Sequence, residues 1–204
     1  MSKLGHIQAF QCYGRKLPGV RVRVIGLTPL LMNNAESMTV KVPTKGTPEE
    51  QARPLVIDDG GGHLAIPSFA LRSSLCEGGA FLNSPIPRKK LKSFLYETVS
   101  ILPEEWLVLI REGEPIADTD WAIDGRRVRM PKGGSVWRHR PKVELPWGFD
   151  ASIAWDTPFT SEGEADAMVR DLAAAAERAG VCVGLGDFRP EKKGIFGRYQ
   201  LEIL

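Results

Sequence analysis

With 204 residues and 43% apolar side chains, the chain is long enough for one large domain, or a core domain carrying a sizeable insertion, and disorder is excluded as its default state. Its 27 lysines and arginines stand against 25 acids, a formal charge of only +2, so any case for a polyanion partner must rest on where the charges lie. The three far-apart cysteines, Cys12, Cys76 and Cys182, fit neither a disulfide framework nor a zinc site. No apolar run approaches the roughly 20 residues of a membrane helix and no signal-peptide core opens the chain, so a soluble cytoplasmic protein with no membrane partner is expected.

In chain order, Val20, Val22 and Val24 alternate with Arg21 and Arg23, the pattern of a strand with one buried and one basic face. It runs toward Leu31 and is distorted by Gly26 and Pro29. Residues 32–62 are polar and broken by Pro43, Gly46, Pro48, Pro54 and the run Asp58-Asp59-Gly60-Gly61-Gly62. They read as an excursion ending in a hairpin near Val56-Ile57 and His63-Leu64. A helix then starts at Ile66-Pro67-Ser68, with Ser68 as candidate N-cap, Leu71, Leu75 and Leu82 facing inward and Arg72 near the positive end. A second helical piece over Arg88 to Thr98 presents Leu91, Phe94 and Leu95, and residues 99–110 read as a strand. A hairpin turning at Lys132-Gly133-Gly134 and a strand over Phe149 to Trp155 follow. Ser161 to Gly180 predicts a helix with a Ser161/Glu164 capping box, an apolar stripe through Met168, Leu172 and Ala176, and Gly180 at the C-terminal stop. Short strands over Val181 to Val183 and Tyr199 to Leu204 close the chain. The order strand, helix, strand, strand, helix, strand predicts an α+β, ferredoxin-like (RNA-recognition-motif-like) core over about 18–31, 65–110 and 148–204, in a single domain. Two insertions, about 32–64 and 111–147, interrupt it, one of them a thumb-like hairpin. The sheet would be antiparallel, with both helices on one face and the other face free to bind.

Charge is most concentrated between Gly125 and Val143, where Arg126, Arg127, Arg129, Lys132, Arg138, Arg140 and Lys142 have no acidic residue among them. Such cations repel unless solvated or met by a polyanion, and the interleaved Trp137 and His139 suit an arm on a nucleic-acid backbone. A solvated hairpin or a dock for an acidic protein is the alternative. The stretch Gly180 to Leu204 places Gly184, Gly186, Gly194 and Gly197 among Arg189, Lys192, Lys193 and Arg198 and the aromatics Phe188, Phe196 and Tyr199. It reads either as a seat of exposed amides for a phosphodiester chain or as a tightly turning hairpin. Gly184-Leu185-Gly186 fails as a dinucleotide fingerprint, because the third glycine is missing and a strand follows. Of His6, His63 and His139, the last is the candidate base for RNA cleavage, or else a phosphate contact. Asp58-Asp59, Asp118-Asp120 and Asp187 could hold a divalent metal, but the first two pairs stand where Asp forms turns, and Asp187 beside Arg189 suits orienting the loop. No cofactor and no metal is expected.

The run Val183-Gly184-Leu185-Gly186-Asp187-Phe188-Arg189-Pro190 with Gly194-Ile195-Phe196-Gly197-Arg198-Tyr199 resembles the C-terminal glycine-rich loop of the RAMP superfamily of CRISPR-associated proteins. Ile66-Pro67-Ser68-Phe69-Ala70-Leu71-Arg72-Ser73-Ser74-Leu75 resembles that superfamily's helix start. The resemblance implies a backbone subunit polymerising along guide RNA, with a thumb hairpin that kinks it. Ser68 and Arg72 match the helix start; Gly184, Gly186, Arg189, Gly197 and Arg198 match the loop. Adding the basic positions Arg21, Arg23, Arg126, Arg127, Arg129, Lys132, Arg138, Arg140 and Lys192 completes the expected RNA-binding set. The expected partners are guide RNA, alone or paired with target, copies of the chain in a head-to-tail filament, and other effector subunits. Two rivals stay open: a metal-independent repeat-RNA endoribonuclease with His139 as base, and a protein-interaction module using the basic hairpin.

Overall fold

The computed structural model describes residues 7–34, 46–83, 90–129, 133–156 and 162–204, without the side chains of residues 81, 129 and 162–164. In chain order these residues form β1 (Ile7–Cys12), β2 (Arg15–Gly26), β3 (Leu30–Leu31), α1 (Pro48–Ala52), β4 (Ala65–Pro67), α2 (Ser68–Gly78), α3 (Leu91–Thr98) and β5 (Val99–Leu102). There follow β6 (Trp106–Val108), β7 (Ile110–Arg111), β8 (Glu114–Pro115), β9 (Ala122–Arg129), β10 (Ser135–Val143), β11 (Gly148–Trp155), α4 (Glu162–Arg178) and β12 (Tyr199–Ile203). The architecture is α+β with antiparallel sheets.

β2 is the axis of the main sheet. Its alternation puts Val20, Val22 and Val24 fully inside, clustered with Leu71 and Leu75 of α2, Phe94 of α3 and Met168 and Leu172 of α4. β11 lies along one edge of β2, from Gly148 opposite Ile25 to Ala154 opposite Gly19. β12 and β1 share the other edge end to end, Ile203 opposite Val22 and Ile7 opposite Val20. β5 pairs with the far side of β11, so the long strands run in the order β12, β2, β11, β5. Helices α2 and α4 cross closely, since a side chain on Gly78 would strike Ala175 and Ala179. The face of β2 away from the helices carries Arg21, Arg23 and Ile25, and Arg23 grips Asp150 of β11 through two bonds of 2.7 and 2.8 Å. That face is therefore mixed in charge rather than basic. Among the described residues no helix is long and apolar enough to cross a membrane.

Several expectations are corrected. The first strand begins earlier, at Arg15, and pairs with β1, which the sequence reading missed; Tyr13 and Gly14 join them with φ of 49° and 74°, a two-residue turn whose twist suits a hairpin. Pro67, not Ser68, is the N-cap of α2, and Ser68 is already helical. Residues 99–110 divide into β5, β6 and β7, because β5 follows β11 while β6 pairs with β4. Val181 to Val183 is no strand: α4 continues through a turn of π-helix over Ala179–Val183 and stops at Gly184, φ 77°. Gly180 lies inside that turn, packed so tightly under the Tyr199 carbonyl that no Cβ fits. The Ser161/Glu164 capping box lies outside the described residues. The excursion after β3 contains α1, whose Thr47 accepts from the Glu50 amide at 3.2 Å while Glu50 accepts from the Thr47 amide at 2.8 Å. Its expected hairpin is present as a single bridge between Asp58 and Leu64.

Candidate nucleic-acid interface

The basic segment is a hairpin, β9 against β10, and β10 also pairs with β3 through Lys142 opposite Leu31. Its two-residue period sorts the side chains. One face carries Asp124 and Arg126 opposite Arg140 and Arg138; the other carries Arg127 opposite Trp137 and Gly125 opposite His139.

The first face docks onto the glycine-rich loop. Arg126 is held by Asp124 at 2.5 and 2.6 Å, and its guanidinium sits 5.0 Å from the Phe188 ring and 4.7 Å from the Phe196 ring. Arg140, its side chain only 7% exposed, lies 2.8 Å from Asp187. The approach is an ion pair in distance but not a directed hydrogen bond, for Arg140 Nε and Nη1 and Asp187 Oδ2 have no hydrogen-bond partner among the described residues. Burial disfavours the charge of Arg140 and Asp187 works against that, so the guanidinium is pushed below its ordinary value. Lys142 meets Glu144 at 2.5 Å. The expectation of a hairpin lacking counter-charge is thereby corrected: Asp124, Asp187 and Glu144, all just outside the basic run or remote in sequence, neutralise three of its cations. Arg127 and Arg138 are exposed and have no ion pair among the described residues. The side chain of Arg129, and Lys132, lie outside the described residues.

On the second face Trp137 is 61% exposed and stacks on His139, with centroids 6.4 Å apart and planes within 10°. His139 Nδ1 is 2.9 Å from Gln51 Oε1 of α1, which is its one side-chain hydrogen bond among the described residues.

The loop itself corrects the expectation of exposed amides. The N–H groups of Leu185, Asp187 and Gly197 donate to Gly197, Leu31 and Pro29 carbonyls at 2.8, 2.7 and 2.9 Å, and that of Arg198 to Thr28 Oγ1 at 2.9 Å. A Cβ on Gly186 would come within 2.5 Å of the Leu31 carbonyl, and one on Gly197 would overlap that of Leu185. These glycines let the loop fold against β3 and itself. Arg189 donates to Glu191 at 2.6 and 3.0 Å and to the Gly186 carbonyl at 3.0 Å. Lys192 stands exposed, 3.5 Å from Glu191, and the half-buried side chain of Arg198 has no ion pair among the described residues.

The helix start supplies the opposite wall. Arg72 donates to the carbonyls of Tyr96 and Val99, the latter at 2.8 Å, and so ties α2 to the end of α3. Its charge completes the C-terminal carbonyls of α3 instead of awaiting an anion. Ser68 donates to the Glu104 carbonyl. Ser74 reaches across 110 residues to the Gly184 carbonyl at 3.0 Å and also meets the buried Tyr199 hydroxyl at 3.0 Å. Between α2 and the loop lies a cleft of about 250 Å³, lined by Phe69, Ser73, Tyr96, Gly184, Gly186 and Arg189. Phe69 and Ser73 lie inside the helix-start segment but were not among the expected binding residues, and neither was Tyr96. Arg21 and Arg23 stand on the sheet face opposite α2, apart from this cleft.

The aspartates serve turns and pairs. Asp58 and Asp59 accept from the amides of Gly60 and Gly61 at 2.8 and 2.7 Å, Asp59 also holds His63 at 3.1 Å, and Asp120 pairs with Arg111 at 2.5 Å. Among the described residues no three His, Cys, Asp or Glu side chains gather as a metal site.

Fold and surface together define an α+β domain with a basic hairpin docked on a glycine-rich loop. No family model and no curated protein matches the chain. Among solved structures, it is similar to a chain of one described as "Type IV-B CRISPR Complex", with a TM-score of 0.48, 13% identity, and coverage of 91% of this chain and 90% of that one. A likeness that slight says nothing by itself about what this chain binds.

Proposed function

We propose that the chain is a guide-RNA-binding backbone subunit of a CRISPR-type ribonucleoprotein, a single RAMP-like domain built on a ferredoxin-like core. One observation carries the reading: the two segments that resemble the superfamily, helix start and glycine-rich loop, line one cleft although 110 residues separate Ser74 from Gly184. The strand order β12, β2, β11, β5, with α2 and α4 packed on one face of β2, supports such a core. The hairpin then acts as the thumb. Arg127, Arg138, Arg198 and Lys192, together with Arg129 and Lys132, contact phosphates, while Ser68, Arg72, Gly184, Gly186 and Gly197 shape the cleft and Arg189 lines it. Arg21 and Arg23 belong to a second surface. Assembly is head to tail on the RNA, beside other effector subunits, with bases left accessible for pairing.

The test is to purify the protein, sequence the nucleic acid that comes with it, and measure binding of single-stranded RNA against salt. Bound RNA of repeat-derived sequence, left intact in EDTA, is the expected result. A nucleic-acid-free protein with no affinity for RNA at about 50 mM salt, where phosphate contacts are strong, overturns the proposal.

A further inference from the structure

We infer that the carboxylate of Asp187 is a built-in surrogate for a phosphate, closing an anion site at Arg140 that an RNA phosphodiester opens by displacing it; the inference rests on the RNA-binding reading above. A buried guanidinium is ordinarily met by directed partners on most of its donors. Arg140 is not, since Nε and Nη1 lack a hydrogen bond among the described residues even though Asp187 Oδ2 is 2.8 Å away and equally unsatisfied. The two groups have the charge for each other but not the geometry. A phosphodiester offers more lone pairs in more directions than one carboxylate edge, and guanidinium binds it in a forked arrangement.

The loop is arranged so that this exchange need not unfold it. Asp187 is anchored by its backbone, its N–H donating to the Leu31 carbonyl at 2.7 Å, and its Oδ1 receives the Phe188 amide at 2.8 Å. Only Oδ2 is given to the arginine; the Asp187 side chain as a whole is 25% exposed, while Oδ2 and Arg140 Nε and Nη1 are themselves buried, so the carboxylate must swing aside before a phosphate reaches the guanidinium. The charged groups around the pair are Arg126, Arg138 and Asp124. Three arginines thus face two carboxylates, and one phosphate entering beside the displaced but still tethered Asp187 brings the anions to three. A small anion finds the site already filled. A strand held at the same time by the exposed Arg138, on the same face as Arg140, competes by effective concentration.

The experiment uses the full chain and a fluorescent 12-nucleotide single-stranded RNA, with anisotropy read against NaCl. Arg140→Gln is expected to reduce the steepness of the salt dependence by about 0.7, one phosphate's worth. Asp187→Asn is expected to tighten binding about tenfold at fixed salt, the size of one charge-assisted hydrogen bond, and to do so only while Arg140 is present. A wild-type salt slope in Arg140→Gln overturns the inference, as does a gain from Asp187→Asn that persists in Arg140→Gln. Should Asp187→Asn fail to fold by circular dichroism, the Arg140→Gln slope decides alone. Failure of the wild-type protein to bind the RNA is a separate result, and it removes the functional reading itself.

Discussion

Gly197 separates a glycine that packs from one that merely turns. Its φ is +67°, and a methyl group there would overlap the Leu185 carbonyl, which is fixed by the Leu185 and Gly197 backbone bonds. Holding alanine in the left-handed region costs about 1 kcal/mol. Forcing backbone apart in a packed site adds about 2 kcal/mol. For a domain of this length each kcal/mol lowers Tm by about 2–4 °C, so Gly197→Ala should melt about 6–12 °C below wild type. Gly14 is the control: its φ is +74° but nothing lies within 4 Å of an added Cβ. Gly14→Ala should therefore lose only the conformational part, about 2–4 °C. Thermal melts followed by circular dichroism measure both. Equal losses, or a wild-type melt for Gly197→Ala, would refute the claim that the loop glycines exist for close packing.

Three further outcomes are expected. The double variant Arg127→Ala/Arg138→Ala should lower the steepness of salt dependence by about 1.4, so its deficit in RNA affinity at 50 mM salt should be roughly 7 times its deficit at 200 mM; parallel salt curves would remove these two side chains from the interface. Ser74→Ala strands the buried Tyr199 hydroxyl and the Gly184 carbonyl and should cost about 1–3 kcal/mol in urea unfolding, part of which Tyr199→Phe in the same chain should restore. Of the three thiols, Cys182 is exposed while Cys12 and Cys76 are buried, and burial pushes Cys76 up to about 12. Its thiolate is therefore scarce at any pH below that value. A thiol reagent at about pH 8, near the ordinary thiol pKa, should modify one cysteine in the folded protein and all three after denaturation, and a second fast-reacting thiol would contradict the burial.

Strands with strict alternation were legible: the valines of β2 and the Phe149 to Trp155 run each show period two because one face alone is buried. The hairpin was legible from Gly133-Gly134 between two charged runs. β1 was not, because Ile7–Cys12 is an edge strand with little inside and so almost no period to read. α1 carried its signal in Thr47-Pro48-Glu49-Glu50, a capping box overlooked inside a polar stretch. The end of α4 was misjudged because Gly180 marks a close approach of backbone, a tertiary fact that mimics a stop signal locally. The site was legible as composition and not as wiring. Sequence distance conceals Asp187 from Arg140, which a count of neighbouring acids left looking unpaired, and conceals the Tyr96 and Val99 carbonyls from Arg72. The convergence of two motif segments on one cleft needed the fold itself.

The shared edge of β2 has a practical consequence. Ile7 and Ile203 face positions two residues apart on that strand, a separation of about 7 Å at the usual rise along a strand. Two segments remote in sequence thus guard one border of β2, and detaching either would bare only its own stretch of that strand to exchange with solvent. Protection would then fade in two steps along a single strand, one for each guard.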